Sequence, residues 1–508
     1  MQPNLGLSEQ LHASRERNLS REELAQRLTV TEAELARVLR ENYELRNLKI
    51  TDSQILLLMQ EQLDSQRDAQ YCASSERYKK PEKKESPKEP PKPRVKKPSE
   101  RYPNIPVREE RITQTPAPDC PCCGKEMTDS GMTEDSEQLT VIPKKHEIVK
   151  VMRTKFRCTC QGAVVTAPAP PRIIPGSSYS DEMIVDVGLT KYCDLIPIER
   201  YAAMAERGGL PDLPTQSLIE LTHGLADFLS PAYLRIKKGV LASRVIHADE
   251  TPHRMLEGSE KKSWYLWGFS TQEYCFLEMH DSRSGDVASD VLRLARCEVL
   301  VTDVYAGYGK AIRLSNELRR EFGRAAIRNA NCNAHARRYF FQCWPKYPEA
   351  QFYLDHYHEI YRINSRSQGE PLPIVATERA EMRPRFEAMK KRALEELASY
   401  PSGGKYSKAL KYFLDNFDGL TLFLADPEVP IDNNSQERLL RNPVVGRKTW
   451  YGTHSKRGSI TAAILFTLVE TCKLNQVNPR EYFKKLTESL HAGLPPMTPI
   501  EFKQAAQA

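Results

Sequence analysis

Apolar positions along the chain keep different periods in different regions. Between residues 21 and 64 they recur in sevens: Leu24, Thr31, Val38 and Leu45 form one series, Leu28, Leu35 and Asn42 another. The two interleave as the a and d positions of a coiled coil and predict one long helix. Asn42, alone among apolar residues, would fix register and strand number at some cost in stability. Past Leu45 the repeat stutters through Leu48, Ile55, Met59 and Leu63. Self-association is the favoured reading; a helix folded onto its own domain would show a similar pattern.

The pattern then dissolves. Residues 71–115 hold "KKPEKKESPKEPPKPRVKKPSERYP", whose prolines and charges resist burial and predict an extended basic tether. Helical periodicity returns over 173–240, where "ERYAAMAERGGLPDLPTQSLIELTHGLADFL" reads as a helix, a break and a second helix opening near Thr215. A helix-turn-helix and two packed core helices both fit that pattern. From 241 to 335 the apolar runs shorten to strand length: "RVIHAD", "SWYLWGFS", "YCFLEMH", "CEVLVTD" and "AAIRNAN". Three successive strands, then helices between the later ones, predict a mixed α/β sheet flanked by helices. Residues 336–430 turn helical again, as an insertion would, and 431–508 return to the core.

Composition narrows the class. Against 67 acidic residues stand 74 lysines and arginines, a net charge of +7 that points weakly to an acidic partner such as nucleic acid. The first residues carry no apolar run of the secretory type, and the longest apolar run, "AAILFTLV" at 462–469, is too short to span a bilayer. A reducing cytoplasm is therefore expected, in which the 12 cysteines serve as thiols or metal ligands.

Four constellations carry chemistry. "CPCCG" sets Cys120 and Cys123 in a knuckle closed by Gly124, with Cys122 to spare, and "FRCTCQG" supplies Cys158 and Cys160. Four soft ligands suit a structural zinc over 116–172, free buried thiols being the alternative. Next are the acids. The strands of "RVIHADE" and "CEVLVTD" each end in an aspartate, Asp249 and Asp303, and "IDNNSQERLLR" opens a helix capped by Asn434 or Ser435 with Glu437 in its first turns. Two strand aspartates and a helix glutamate are the parts of a two-metal phosphoryl-transfer site, with Glu250 in support. Hard cations, Mg2+ or Mn2+, want such oxygen ligands.

In "NCNAHARRYFFQCW", Cys332 and His335 are too few to make a metal site alone, so a structural or DNA-contacting role is expected of them. Arg337 and Arg338 beside Tyr339 and Phe340 suit phosphate contact and base stacking. Finally "RNPVVGRKTWYGTHSKRGS", with Arg438 just before it, mixes Arg441, Arg447, Lys448, Lys456 and Arg457 with Trp450 and glycines, as a loop gripping a nucleic-acid strand would.

Taken in order, these motifs resemble the large transposase of the insertion sequence 66 family of bacterial mobile elements. The resemblance runs over nearly the whole chain: the zipper-like helix, the cysteine segment, "KYCDLIPIERYAAMAERGG", "ADET", "TDVYAGY", "CNAHARRYF" and "IDNNSQERLLRNPVVGRKTW". It implies a ribonuclease-H-like core of the DDE type with Asp249, Asp303 and Glu437 as its triad. It also implies element-end and target DNA as partners, a dimer or higher oligomer, and accessory proteins of the same element. The Cys332-x-x-His335 pair matches a motif of such enzymes that carry a helical insertion before the glutamate. Thr449 and Gly452 in "RKTWYG", and Asn333 after Cys332, depart from the family pattern and bear on end preference more than on chemistry. A nuclease of the same fold that cuts without joining, and a non-catalytic zinc-containing DNA-binding protein, are the alternatives.

Overall fold

The computed structural model describes residues 21–45, 50–71, 97–110, 117–119, 121–128, 136–141, 144–157, 164–256 and 263–507. Contacts divide the chain into two units, residues 1–72 with 151–508, and residues 73–150.

The larger unit begins with helices Arg21–Leu45 (α1) and Asp52–Tyr71 (α2), not with the single helix that the heptads predict. The second start is encoded in "TDSQ". Thr51 Oγ1 accepts from Gln54 N at 3.4 Å and Gln54 Oε1 accepts from Thr51 N at 3.0 Å, a reciprocal capping box. Arg40 of α1 pairs with Asp52 at 2.8 Å. Tyr43, Ile55 and Met59 are buried, and Glu61 takes hydrogen bonds from Lys405 N and Tyr347 Oη, so one side of this pair rests on its own chain. Val38 and Leu45 of the heptad series stay exposed.

In the smaller unit lies a short helix, Pro98–Arg101 (α3), whose Ser99 donates to Glu137 from both N and Oγ at 2.8 and 2.9 Å. An isolated bridge joins Asp119 and Glu126. Cys122 and Cys123 are exposed free thiols, while Cys120, Cys158 and Cys160 lie outside the described residues.

Back in the larger unit, Lys155–Arg157 (β1) and Val164–Thr166 (β2) pair antiparallel. Helices Asp181–Tyr192 (α4), Ile198–Arg207 (α5) and Thr215–Ala242 (α6) follow. On α6, Leu218, Leu225, Leu229 and Ile236 are fully buried at helical spacing, which is how a packed core helix behaves.

The central sheet comprises Val245–Arg254 (β3), Ser263–Ser270 (β4), Cys275–His280 (β5), Val299–Thr302 (β6) and Arg328–Asn331 (β7), in the order β5-β4-β3-β6-β7. The β5-β4-β3 pairings are antiparallel and β3-β6-β7 parallel. Between the later strands run Gly285–Leu292 (α7) and Ala306–Glu321 (α8).

Strand alternation sorts the two faces. Trp267, Phe269 and Phe276 pack with Val287, Leu292 and Tyr308 of α7 and α8. Leu266 and Leu277 pack oppositely with α6 and with Lys456–Leu474, labelled α16 below. The mixed sheet flanked by helices is thus as the sequence predicts. It fits the core of a DDE transposase.

The helical block after β7 runs through Asn333–Cys343 (α9), Ala350–Arg366 (α10), Leu372–Ala380 (α11), Arg383–Leu397 (α12), Lys405–Asp415 (α13) and Phe417–Thr421 (α14). Its aromatic residues, Phe340, Tyr353, Tyr357, Phe386 and Phe413 among them, form one core with Val299, Val301 and Ala330 of β6 and β7. Entry and exit are laced together: Asn333 Nδ2 donates to Leu420 O at 2.8 Å and to Ile431 O at 3.0 Å.

The chain returns as Asn434–Trp450 (α15), Lys456–Leu474 (α16), Pro479–His491 (α17) and Pro499–Gln507 (α18). Hydroxyls of Thr467 and Thr471 on α16 accept from the backbone N–H groups of Leu277 and Cys275 at 2.9 and 3.2 Å, covering the exposed edge of β5. Among the described residues no helix is long and apolar enough to cross a membrane.

Candidate active site

Strand β3 does not stop where its apolar run does, at Asp249 and Glu250, as the sequence suggests. The strand continues to Arg254, held by β4 with Asp249 opposite Gly268. What stops is β3's other partner: β6 pairs only with Val245, Ile246 and His247. The polar switch at Asp249 therefore marks the point where one side of the strand opens. Asp303 follows directly after β6 and accepts from Tyr305 N at 3.0 Å.

Burial, followed by the charges of Glu250, Asp303 and Glu437, pushes the Asp249 carboxyl up to about 8. Asp249 thus feels the charges of two acids far from it in the sequence. Glu250 is differently placed. Its side chain is 2 % exposed, and its oxygens accept from Arg283 Nε at 2.8 Å, Arg283 Nη2 at 2.7 Å and Tyr308 Oη at 2.5 Å. Both its oxygens are engaged, and its backbone N–H donates to Asp249 Oδ1 at 2.9 Å. Arg283 also lies 4.1 Å above the Tyr305 ring.

Glu437 is in the first turn of α15, and the start of that helix is fixed from several sides. The N-cap is Asn433, one residue before the expected Asn434. Its side chain does not cap: Nδ2 donates to Ala248 O at 2.9 Å, while Oδ1 faces His247 Nδ1 at 2.8 Å. Asp432 instead accepts from Asn434 N at 3.1 Å, and from Tyr361 Oη at 3.0 Å. The helix comes so near β4 that a Cβ on Gly268 would lie 2.1 Å from Gln436 Nε2. Any larger residue here would have to push the Gln436 amide aside.

Cys332 precedes α9 and His335 occupies its first turn. From sequence these two were expected to be structural or to contact DNA; folding brings Glu437 beside them as a third donor. Donor atoms of Cys332, His335 and Glu437 all lie within 4.8 Å of one another, the one such trio found among the described residues. His335 Nε2 is 3.7 Å from Glu437 Oε1, and Arg338 Nη2 is 3.9 Å from Oε2.

The DNA candidates separate into groups. Arg438, Arg441 and Lys448 are exposed at positions i, i+3 and i+10 of α15, on one helical face that begins beside Glu437. Residues 441–450 are helix, not the expected loop; α15 carries Pro443 through its middle and ends at Tyr451 with φ 66°. Beyond it Gly452 (φ 138°) crosses β3, where a Cβ would meet Arg254 O at 2.3 Å, which explains glycine at this point.

Trp450 does not face outward as expected. It packs in the core against Tyr192 and Phe466 at centroid distances of 6.3 and 6.5 Å. Arg447 is half-buried, and burial lowers its pKa. Arg457 pairs with Glu220 and Asp227 of α6 at 2.9 and 3.4 Å, and Lys456 is exposed. Arg337 is exposed on α9, its guanidinium 5.9 Å from the Phe341 ring.

Hard divalent cations fit the acidic cluster. Asp249, Asp303 and Glu437 offer the oxygen donors such ions take, and the charge that buried Asp249 feels from the other two is what a dication relieves. Sequence reading missed Asn433, Arg283 and Tyr308. "IDNNSQE" announces a cap but not that its first asparagine reaches across to a strand.

The profile described as Transposase IS66 family matches residues 176–460. Three curated relatives from Sinorhizobium fredii (strain NBRC 101917 / NGR234) align over most of their length. The uncharacterized protein y4hP is 24% identical over 79% of this chain and 76% of its own. The uncharacterized protein y4qI is 27% identical over 76% and 74%, and the uncharacterized protein y4jD 25% over 75% and 76%.

Proposed function

We propose, from the premise that this chain belongs to the IS66 family of transposases, that it cleaves DNA at the ends of a mobile element and joins the freed ends to target DNA. Asp249, Asp303 and Glu437 would hold two Mg2+ or Mn2+ ions in a ribonuclease-H-like core. Such ions, when bound, supply charge neutralisation and an activated oxygen nucleophile. The observation that carries the reading is the charge of Asp303 and Glu437 felt at Asp249.

The chain's own contribution is positioning. Asn433 fixes the glutamate helix to the aspartate strand, and Arg283 with Tyr308 keeps Glu250 from competing for the same space. The exposed face of Arg438, Arg441 and Lys448 would hold phosphates beside the site, with Arg337, Arg338 and Lys456 extending it. A structural zinc on Cys120, Cys123, Cys158 and Cys160 belongs to this proposal. So does a homodimer through α1, supported by the exposed Val38 and Leu45. Accessory proteins of the same element and a cytoplasmic setting complete it.

The test is Asp303→Asn on DNA bearing the element's ends. Loss of Mg2+-dependent cleavage with DNA binding retained is expected. Unchanged cleavage would sink the triad, and cleavage without strand transfer in the native chain would leave a nuclease.

A further inference from the structure

Cys332, His335 and Glu437 present a thiol, an imidazole and a carboxylate to one point. That donor set is the one zinc takes, whereas magnesium avoids sulfur and nitrogen. We propose that these three residues form a second cation site, selective for a thiophilic divalent ion of the zinc class, and that filling it withdraws Glu437 from Asp249 and Asp303.

Two further observations support a ligand there. Glu437 Oε1 and His335 Nδ1 are both buried without a hydrogen-bond partner. The 3.7 Å between His335 Nε2 and Glu437 Oε1 is too long for a hydrogen bond, so the pair stands open as a cation would need. Cys332 is fully buried, which pushes its thiol up to about 12, and the Asn433 N–H donating to its Sγ at 3.2 Å acts in the opposite direction. Cys332 also precedes the first turn of α9, where helix N–H groups favour negative charge. Cys332 and His335, three apart at a helix start, share a face.

Donors around a tetrahedral zinc lie roughly 3.5 Å apart, given metal–ligand distances of about 2.0–2.3 Å. Rotation of His335 and Glu437 by about an ångström closes the observed spacing. Binding exchanges the thiol proton, released to solvent, for the ion. Three protein ligands leave a fourth position open. The inhibitory half of the proposal rests on the catalytic reading of Glu437, and the binding half does not.

Cobalt(II), added to the full chain, is the probe, because a cobalt–thiolate bond gives a charge-transfer absorption. The native chain should take up one more cobalt with this absorption than Cys332→Ser. His335→Ala should weaken that uptake by more than the roughly 10–100-fold that a supporting contact is worth. Cys123→Ser should leave the increment intact. Equal uptake and spectra in native, Cys332→Ser and His335→Ala chains would overturn the site. In Mg2+-dependent cleavage, added Zn2+ should inhibit the native chain at lower concentration than it inhibits His335→Ala, each against its own uninhibited rate; equal sensitivity would overturn the inhibitory half. If Asp303→Asn cleaves normally, the catalytic reading falls while the cobalt difference between native and Cys332→Ser remains.

Discussion

The side-chain amide of Asn433 donates to the carbonyl of Ala248 at 2.9 Å, one residue before Asp249. A contact spanning 185 positions of sequence thereby joins the strand of the first acid to the helix of the third. Asn433→Ala would take this partner from the carbonyl and leave His247 Nδ1 with only Ser435 Oγ at 3.4 Å, in a site where Asn433 is only 1 % exposed. We expect a loss of about 1–3 kcal/mol in stability, the usual cost of orphaning buried polar groups. Cleavage should fall further than stability does, because the helix start is released from β3. Thermal melts beside cleavage rates check this; a variant as active as the native chain would contradict it.

Asp249→Asn should stabilise the metal-free protein. The folded-state carboxyl, at about 8, is far above its usual value near 4, so folding disfavours its charged form. The cost is absent below pH ~4, grows as pH rises through the interval to about 8, and is constant above. The variant's melting temperature should therefore exceed the native one by a margin that widens across that interval. Saturating Mg2+ should shrink the margin. A constant margin from acid to alkaline pH would contradict the repulsion.

Exposed and paired arginines should differ in salt dependence. Arg441→Ala removes a free cation from α15, and each lost phosphate contact lowers the slope of log affinity against log salt by about one. Arg457→Ala removes a cation already paired with Glu220 and Asp227. Its slope should stay near native. Titrations of element-end DNA at several salt concentrations measure both.

Gly268→Ala should destabilise by roughly 1–3 kcal/mol through overpacking against Gln436, Leu277 and Leu440. Gln436→Ala in the same chain should recover part of that loss, since the nearest clash is with its amide. A double-mutant cycle with no coupling would show that the helix does not approach β4 this closely.

Much of this site was legible in the chain. Short apolar runs located all five strands of the sheet, and "CEVLVTD" placed Asp303 just beyond a strand because β6 does end there. The β3 reading failed differently. Apolar pattern registers burial, and burial changes at Asp249 because β6 stops, while the backbone of β3 continues along β4. The α1–α2 break lay in "TDSQ", overshadowed by a heptad count that ran through it. Trp450 was read as a nucleic-acid contact because cations surround it in sequence, yet the helix turns its ring toward Tyr192 and Phe466. Nothing local could announce Asn433's partner, which belongs to a strand far earlier in the chain.

The Asn333 contacts to Leu420 and Ile431 close the helical block into a loop tied at its base. Beyond that knot the block reaches the acids from its first two helices, where His335 and Arg338 of α9 face Glu437 and Tyr361 of α10 donates to Asp432. Related chains could lengthen, shorten or exchange the part of the excursion remote from these contacts, provided the knot and the contacts are kept. This makes the block the natural place for evolution, or a protein engineer, to graft new attachments.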